Sequence, residues 1–289
     1  ILRAIGDTRR PLYFLFMAGV VNVALNLFFV IVFHMAAAGV ATATAIAQYV
    51  SAGLIMIHLI RRKDECHVSL KNICFHRDAG VRVLMIGIPA GIQSAVFAIA
   101  NLFVQAGVNS FNTITVSGNA AATNADSLIF NVLYAFYTGC SSFMSQNYGA
   151  GNKKRILKSY FVCLFYSFSA SVLLGVLLFV FGHQFLSLFA TDTAVIDAGM
   201  QRIRIMAFSY AVSVFMDCTT AASRGIGKTI VPTIIILLGS CAFRIVWIYT
   251  IFAWIHTIPS LYLLYVFSWL ITSAAEIIYF TISYRKLNC

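Results

Sequence analysis

The sequence predicts an all-α protein, a polytopic transmembrane bundle of about eight spans. Three observations carry that expectation. The 289 residues are 61% hydrophobic and 10% charged, with a mean hydropathy of +0.88, whereas soluble domains are nearer a quarter charged. Apolar stretches of about 20 residues, the length a membrane helix needs, recur from end to end. All but three of the basic residues are confined to every second linker. A β-barrel would need alternation over about ten residues and frequent turns, and runs such as Phe161 to Val180 have neither.

The expected spans are residues 12–33, 38–60, 81–107, 119–143, 159–181, 200–222, 231–252 and 260–283. In the first, Asn22 and Asn26 are four apart and share a face, which marks the interior side. In the second, Gly39, Ala43, Ala47 and Ser51 form a small-residue ridge that permits close helix packing. Pro89, between Gly87 and Gly91, is expected to loosen the third span. An interfacial external helix is expected between Gln184 and Gly199. Residues 61–80 form the long polar connection, where a boundary between two lobes is placed.

Seventeen of the 20 Lys and Arg residues lie in 1–10, 61–82, 153–158, 224–228 and the tail. The linkers 34–37, 108–118, 182–199 and 253–259 hold none. The positive-inside rule then puts both chain ends in the cytoplasm, as an even helix count also requires. The net charge of +11 reads as anchoring on anionic membrane lipid rather than as nucleic-acid binding. Neither a cofactor nor a metal is expected. Cys66-His67 and Cys74-Phe75-His76 match no tight zinc spacing, and the seven cysteines do not read as a disulfide framework. Enzymatic motifs are lacking too, because Gly225-Ile226-Gly227-Lys228-Thr229 does not have the spacing of a nucleotide-binding loop.

Polar side chains inside hydrocarbon are costly, so they point to function or to helix contacts. At about 100° per residue, Asn119, Asp126, Tyr134, Tyr137 and Ser141 fall on one face of the fourth span, with Asn124 and Asn131 off it. That face lines a cavity or a polar helix interface, and Asp126 has no base nearby in sequence, so hydration is expected. The third span carries Gln93, Asn101 and Gln105, either for helix–helix hydrogen bonds or for the same cavity. Ser213, Asp217 and Thr220 share a face of the sixth. Asp217 is either a coupling carboxylate or the partner of Arg244. An unpaired carboxylate away from water holds its proton more tightly, which suits loading and release near neutrality. Glu276 is a possible further charge partner, placed where it could reach the cytoplasmic surface. Arg202 and Arg204 are expected to anchor at the outer interface.

One motif occurs twice at a constant offset of 221: Arg3-Ala4-Ile5-Gly6-Asp7-Thr8 with Pro11, and Arg224-Gly225-Ile226-Gly227-Lys228-Thr229 with Pro232. Internal repeats in an apolar chain are usual in secondary transporters. Because the first copy opens the chain and residue 1 is Ile rather than Met, further helices are expected upstream.

Those motifs, with Gly87-Ile88-Pro89-Ala90 and Gln146-Asn147-Tyr148-Gly149-Ala150-Gly151-Asn152, resemble in order the multidrug and toxic compound extrusion family, especially its bacterial DinF-like branch. The resemblance implies twelve helices in two six-helix lobes arranged as an inverted V, monomeric in the inner membrane. It implies export of organic cations or drugs in exchange for H+ or Na+. On that basis residues 1–60 would end the first lobe, 61–80 would link the lobes, 81–283 would be the second lobe and 284–289 a cytoplasmic tail. Gln93 stands where many relatives carry a carboxylate, and a Gln cannot titrate. The cavity expected is Asp126, Asp217, Gln93, Asn101, Gln105, Asn119, Tyr134 and Tyr137, with cation–π contacts available to organic cations. Two alternatives stay open: a flippase for lipid-linked substrates, which would want a more basic cavity, and a non-transporting remnant.

Overall fold

A chain this apolar must satisfy its backbone N–H and C=O groups internally, which in hydrocarbon means helices. The computed structural model describes residues 2, 6–63, 67–69, 74 and 76–287, and among these it is helical with no strand. The helices are α1 (Arg9–Val32), α2 (Ala36–Arg61), α3 (Arg77–Asn109), α4 (Thr113–Gly149), α5 (Lys153–Leu186), α6 (Thr193–Gly225), α7 (Ile230–Ile255) and α8 (Ile258–Arg285). All but α4 are long and apolar enough to cross a membrane. At 37 residues α4 is long enough, but Asn119, Asn124, Asp126 and Asn131 make it more polar. The protein is thus a multi-pass membrane protein.

Two compact units divide the chain, Ile1–Gly80 and Val81–Cys289. In the first, the ridge Gly39, Ala43, Ala47 and Ser51 is buried on α2. Asn22 donates from Nδ2 to Thr44 Oγ1 at 3.4 Å and accepts from Asn26 Nδ2 at 3.0 Å. The second unit is built around α6. That helix has the lowest hydropathy of the seven spans, 1.3, yet 67% of its apolar window is buried. The more apolar α5, at 2.2, has only 17% buried. Polarity therefore points inward and Phe165, Leu173 and Trp254 point outward, as a lipid solvent demands. Helix α6 crosses α4 closely at Gly225, where a Cβ would stand 2.3 Å from the Met144 Cβ.

The glycine motifs build one kind of loop. Gly151 (φ +67°) and Gly227 (φ +79°) take the left-handed conformation open to glycine. The next residue then donates back into the helix, Asn152 N to Asn147 O at 3.0 Å and Lys228 N to Ser223 O at 2.9 Å. This is the Schellman helix stop. At the offset of 221 the first motif copy has Gly6 at φ +85° and Asp7 N donating to Leu2 O at 3.0 Å. Pro11 and Pro232 fall in the first turns of α1 and α7, where a missing N–H costs nothing.

Some local expectations are corrected. The segment 184–199 holds no separate interfacial helix: α5 runs to Leu186, and α6 starts at Thr193 behind Asp192, which caps it by accepting from Ala194 N. The loosening expected at Pro89 does not interrupt α3, which runs through it. The expectations for Arg3 and Cys66 fall outside the described residues.

Candidate functional site

Within the second unit, α3, α4, α6, α7 and α8 line an open cavity of about 720 Å³. Gln93, Asn101 and Gln105 reach it from α3, and Asn119, Asp126, Tyr134 and Tyr137 reach it from α4. Ser213, Asp217 and Thr220 on α6 and Arg244 on α7 complete the polar wall. Asn131 lines it as well, because the cavity wraps around more of α4 than the polar stripe alone, while Ser141 sits instead at the Gly225 crossing.

One corner is locked. Arg202 of α6 donates from Nε to Asp126 Oδ2 at 3.1 Å and also from Nη2 to the same oxygen. Its Nη1 donates to Asn119 Oδ1, and Tyr210 OH donates to Asp126 Oδ1. Tyr262 OH adds a bond to Asn119 Oδ1 at 2.9 Å, and Asn119 donates to Gln105 Oε1 at 3.4 Å. Asp126 and Arg202 are only 4% and 7% exposed. Two expectations fall here: Asp126 is not a hydrated, free carboxylate, and Arg202 is not an interface anchor. Inside a poorly hydrated bundle a guanidinium close enough to a carboxylate binds it rather than reaching for the surface. Arg204, two residues on, is exposed and off the cavity.

Asp217 is the opposite case. It lines the cavity half-buried, with no hydrogen bond or ion pair among the described residues. The expected pair with Arg244 does not form. Arg244 instead donates to Ser268 Oγ at 3.4 Å and Asn101 Oδ1 at 3.3 Å. Its guanidinium lies 4.5 Å from the Tyr265 ring, 5.4 Å from Phe97 and 5.9 Å from Trp269. Helix α7 is π-wound on both sides of it, at Leu237–Ala242 and Ile248–Phe252.

Arg224 is a cavity residue that sequence reading assigned to a loop. It donates to Tyr137 OH at 2.7 Å, Gln93 Oε1 at 2.5 Å and Thr233 Oγ1 at 3.4 Å. Tyr137 stacks on Tyr134 with ring centroids 5.7 Å apart. The missed signal was its place in the last turn of α6, one residue before Gly225, still on the helix face of Asp217 and Thr220. Glu276 does not reach the surface as expected. It is 0% exposed, and neither carboxylate oxygen has a hydrogen-bond partner among the described residues. Among the motif loops, Gln146 and Gly149 lie in the last turn of α4, away from the cavity lining.

The MatE family pattern matches residues 89–250. Probable multidrug resistance protein YpnP of Bacillus subtilis is 30% identical over 73% of this chain and 47% of its own length. Probable multidrug resistance protein NorM of Thermotoga maritima is 23% identical over 82% of this chain and 52% of its own length. The chain thus spans about half the length of these curated relatives. A crystal structure of MATE in the straight conformation superposes with a TM-score of 0.90 at 16% identity, over 98% of this chain and 64% of that one.

Proposed function

We propose a transport function from one fact: this chain belongs to the MatE family. In that reading it is part of a secondary antiporter of the bacterial inner membrane. The antiporter exports drugs, organic cations among them, in exchange for H+ or Na+. Residues 1–60 belong to a first lobe, 61–80 to the inter-lobe linker and 81–283 to a second lobe. Both chain ends and the tail 284–289 face the cytoplasm, and the assembled transporter works as a monomer. The two lobes alternate the cavity between the membrane faces.

One observation carries the coupling part of the reading: Asp217 is a carboxylate without a hydrogen bond or ion pair among the described residues, on the wall of a large polar cavity. A group over which a coupling ion and a substrate compete must be free to bind both. Asp126, held by Arg202 and Tyr210, is not free, and Gln93 cannot carry a charge. Asp217 is therefore the coupling carboxylate of this half, and Gln93, Asn101, Gln105 and the Tyr134–Tyr137 pair shape the wall around it.

The test is Asp217→Asn in the full-length protein. Efflux of tetraphenylphosphonium from proteoliposomes under an imposed pH or Na+ gradient is expected to fall at least tenfold at equal protein content. Undiminished efflux under both gradients would sink the assignment. Whichever gradient drives the wild type identifies the coupling ion.

A further inference from the structure

The cavity charges do not balance. Three arginines and two carboxylates line it: Arg202, Arg224 and Arg244 against Asp126 and Asp217. Asp126 is consumed by Arg202. What remains is the carboxylate of Asp217, Arg224 with the buried Glu276 carboxylate within electrostatic reach, and Arg244, whose hydrogen bonds go to neutral oxygens.

Arg244 is the sharper case. Its residue is 2% exposed, yet no carboxylate pairs with it among the described residues. A guanidinium removed from water needs a counter-charge or a full set of acceptors. Arg244 has two long contacts, through Nε and Nη1, while Nη2 has no acceptor among the described residues and is not sealed off, so it is left to the cavity that Arg244 lines. The rings of Tyr265, Phe97 and Trp269 offset part of the cost through cation–π attraction. They can accept no in-plane N–H bond, and a guanidinium keeps its five donors in that plane, matched to a carboxylate or phosphate. The two π-wound turns on either side of Arg244 are a local departure of the kind that recurs at functional sites.

We propose that Arg244 is an anion subsite, and that the cavity takes amphipathic aromatic molecules bearing a carboxylate or phosphate, the anionic group on the guanidinium and the rings against the aromatic wall. The inference rests on the cavity being the transport site and names its substrate class. Asp217 sits on the same wall, so a molecule carrying both an ammonium and an anionic group is also accommodated.

The test uses the full-length protein in an uncharged detergent and three ligands sharing one ring: 1-naphthylacetate, 1-naphthylacetamide and 1-naphthylethylammonium. Calorimetric titration is expected to give at least tenfold tighter binding for the anion than for the amide. In Arg244→Gln the two should bind within about twofold of each other. If that variant does not fold, Asn101→Asp supplies an internal counter-charge to Arg244 and should erase the preference equally. An anion no tighter than the amide in the wild type, or a preference that survives both variants, overturns the subsite. Titrating phosphatidylglycerol separates the sources of the anionic group. Displacement of 1-naphthylacetate means a lipid phosphate reaches Arg244, and no displacement means a soluble organic anion is the occupant. Asp217-dependent efflux of tetraphenylphosphonium without anion preference would remove this inference alone. Anion binding without gradient-driven efflux would remove the antiport reading and leave the subsite.

Discussion

Arg202 and Arg244 face one cavity from successive helices, and both are buried, at 7% and 2% exposure. Their surroundings divide them. Arg202 meets a carboxylate, an amide oxygen and the Tyr262 ring at 5.1 Å. Arg244 meets two neutral oxygens and three rings. The first is a closed network, with charge cancelled and acceptors filled, and it ties α4 to α6. The second keeps its charge and part of its donor edge for something else. Equal burial therefore does not mean equal role, and the presence of a counter-charge separates a strut from a binding group.

The comparison breaks most visibly at the locked corner. Asp126→Ala leaves Arg202 buried without its counter-charge and should cost about 3–5 kcal/mol, seen as loss of folded protein in thermal melts in detergent. Replacing both partners, as Asp126→Leu with Arg202→Met, should recover most of that loss, because an apolar pair is often no worse than an ion pair. If the single variant melts like wild type, the corner is not a strut. Next in size, Tyr210→Phe removes one bond to the Asp126 carboxylate and should cost about 1.5–3 kcal/mol, read on the same melts.

At the open pole, Tyr265→Leu removes the nearest ring from Arg244. About 2 kcal/mol of coupling between the two residues is expected in a double-mutant cycle with Arg244→Met, since the cation is desolvated. A coupling near zero would mean the cage does not hold the charge. The smallest effect on stability belongs to Asp217→Asn, which removes no hydrogen bond or ion pair among the described residues and should leave the stability read from the same melts within roughly 0.5 kcal/mol of wild type. A large destabilisation there would mean Asp217 is structural after all, and its role in coupling would lose its support.

Much of the cavity was legible in the chain. Gln93, Asn101, Gln105, Asn119, Asp126 and Asp217 stood out as polar groups at membrane depth, and the structure gathers all six round one space. The helix period fixed which of them share a face, so same-helix readings such as Ser213, Asp217 and Thr220 carried over. Partner choice did not. Asp126 and Arg202 are 76 residues apart, and nothing local distinguishes Arg202 from Arg244 as the mate of either aspartate. Arg224 was hidden by its place at a helix end, where a base reads as lipid anchoring, although Gln93 and Tyr137 draw it inward. Glu276 was read as able to reach water, but it is wholly enclosed in the bundle.

By itself the sequence determined that the chain is helical and membrane-spanning, and which residues are costly inside hydrocarbon. Those properties follow from length and hydropathy, set within a few tens of residues of chain. Only the tertiary structure decided which charges cancel and which remain. That outcome depends on helix rotation and side-chain reach across α4, α6, α7 and α8, where a few ångströms separate an ion pair from a charge left for a ligand.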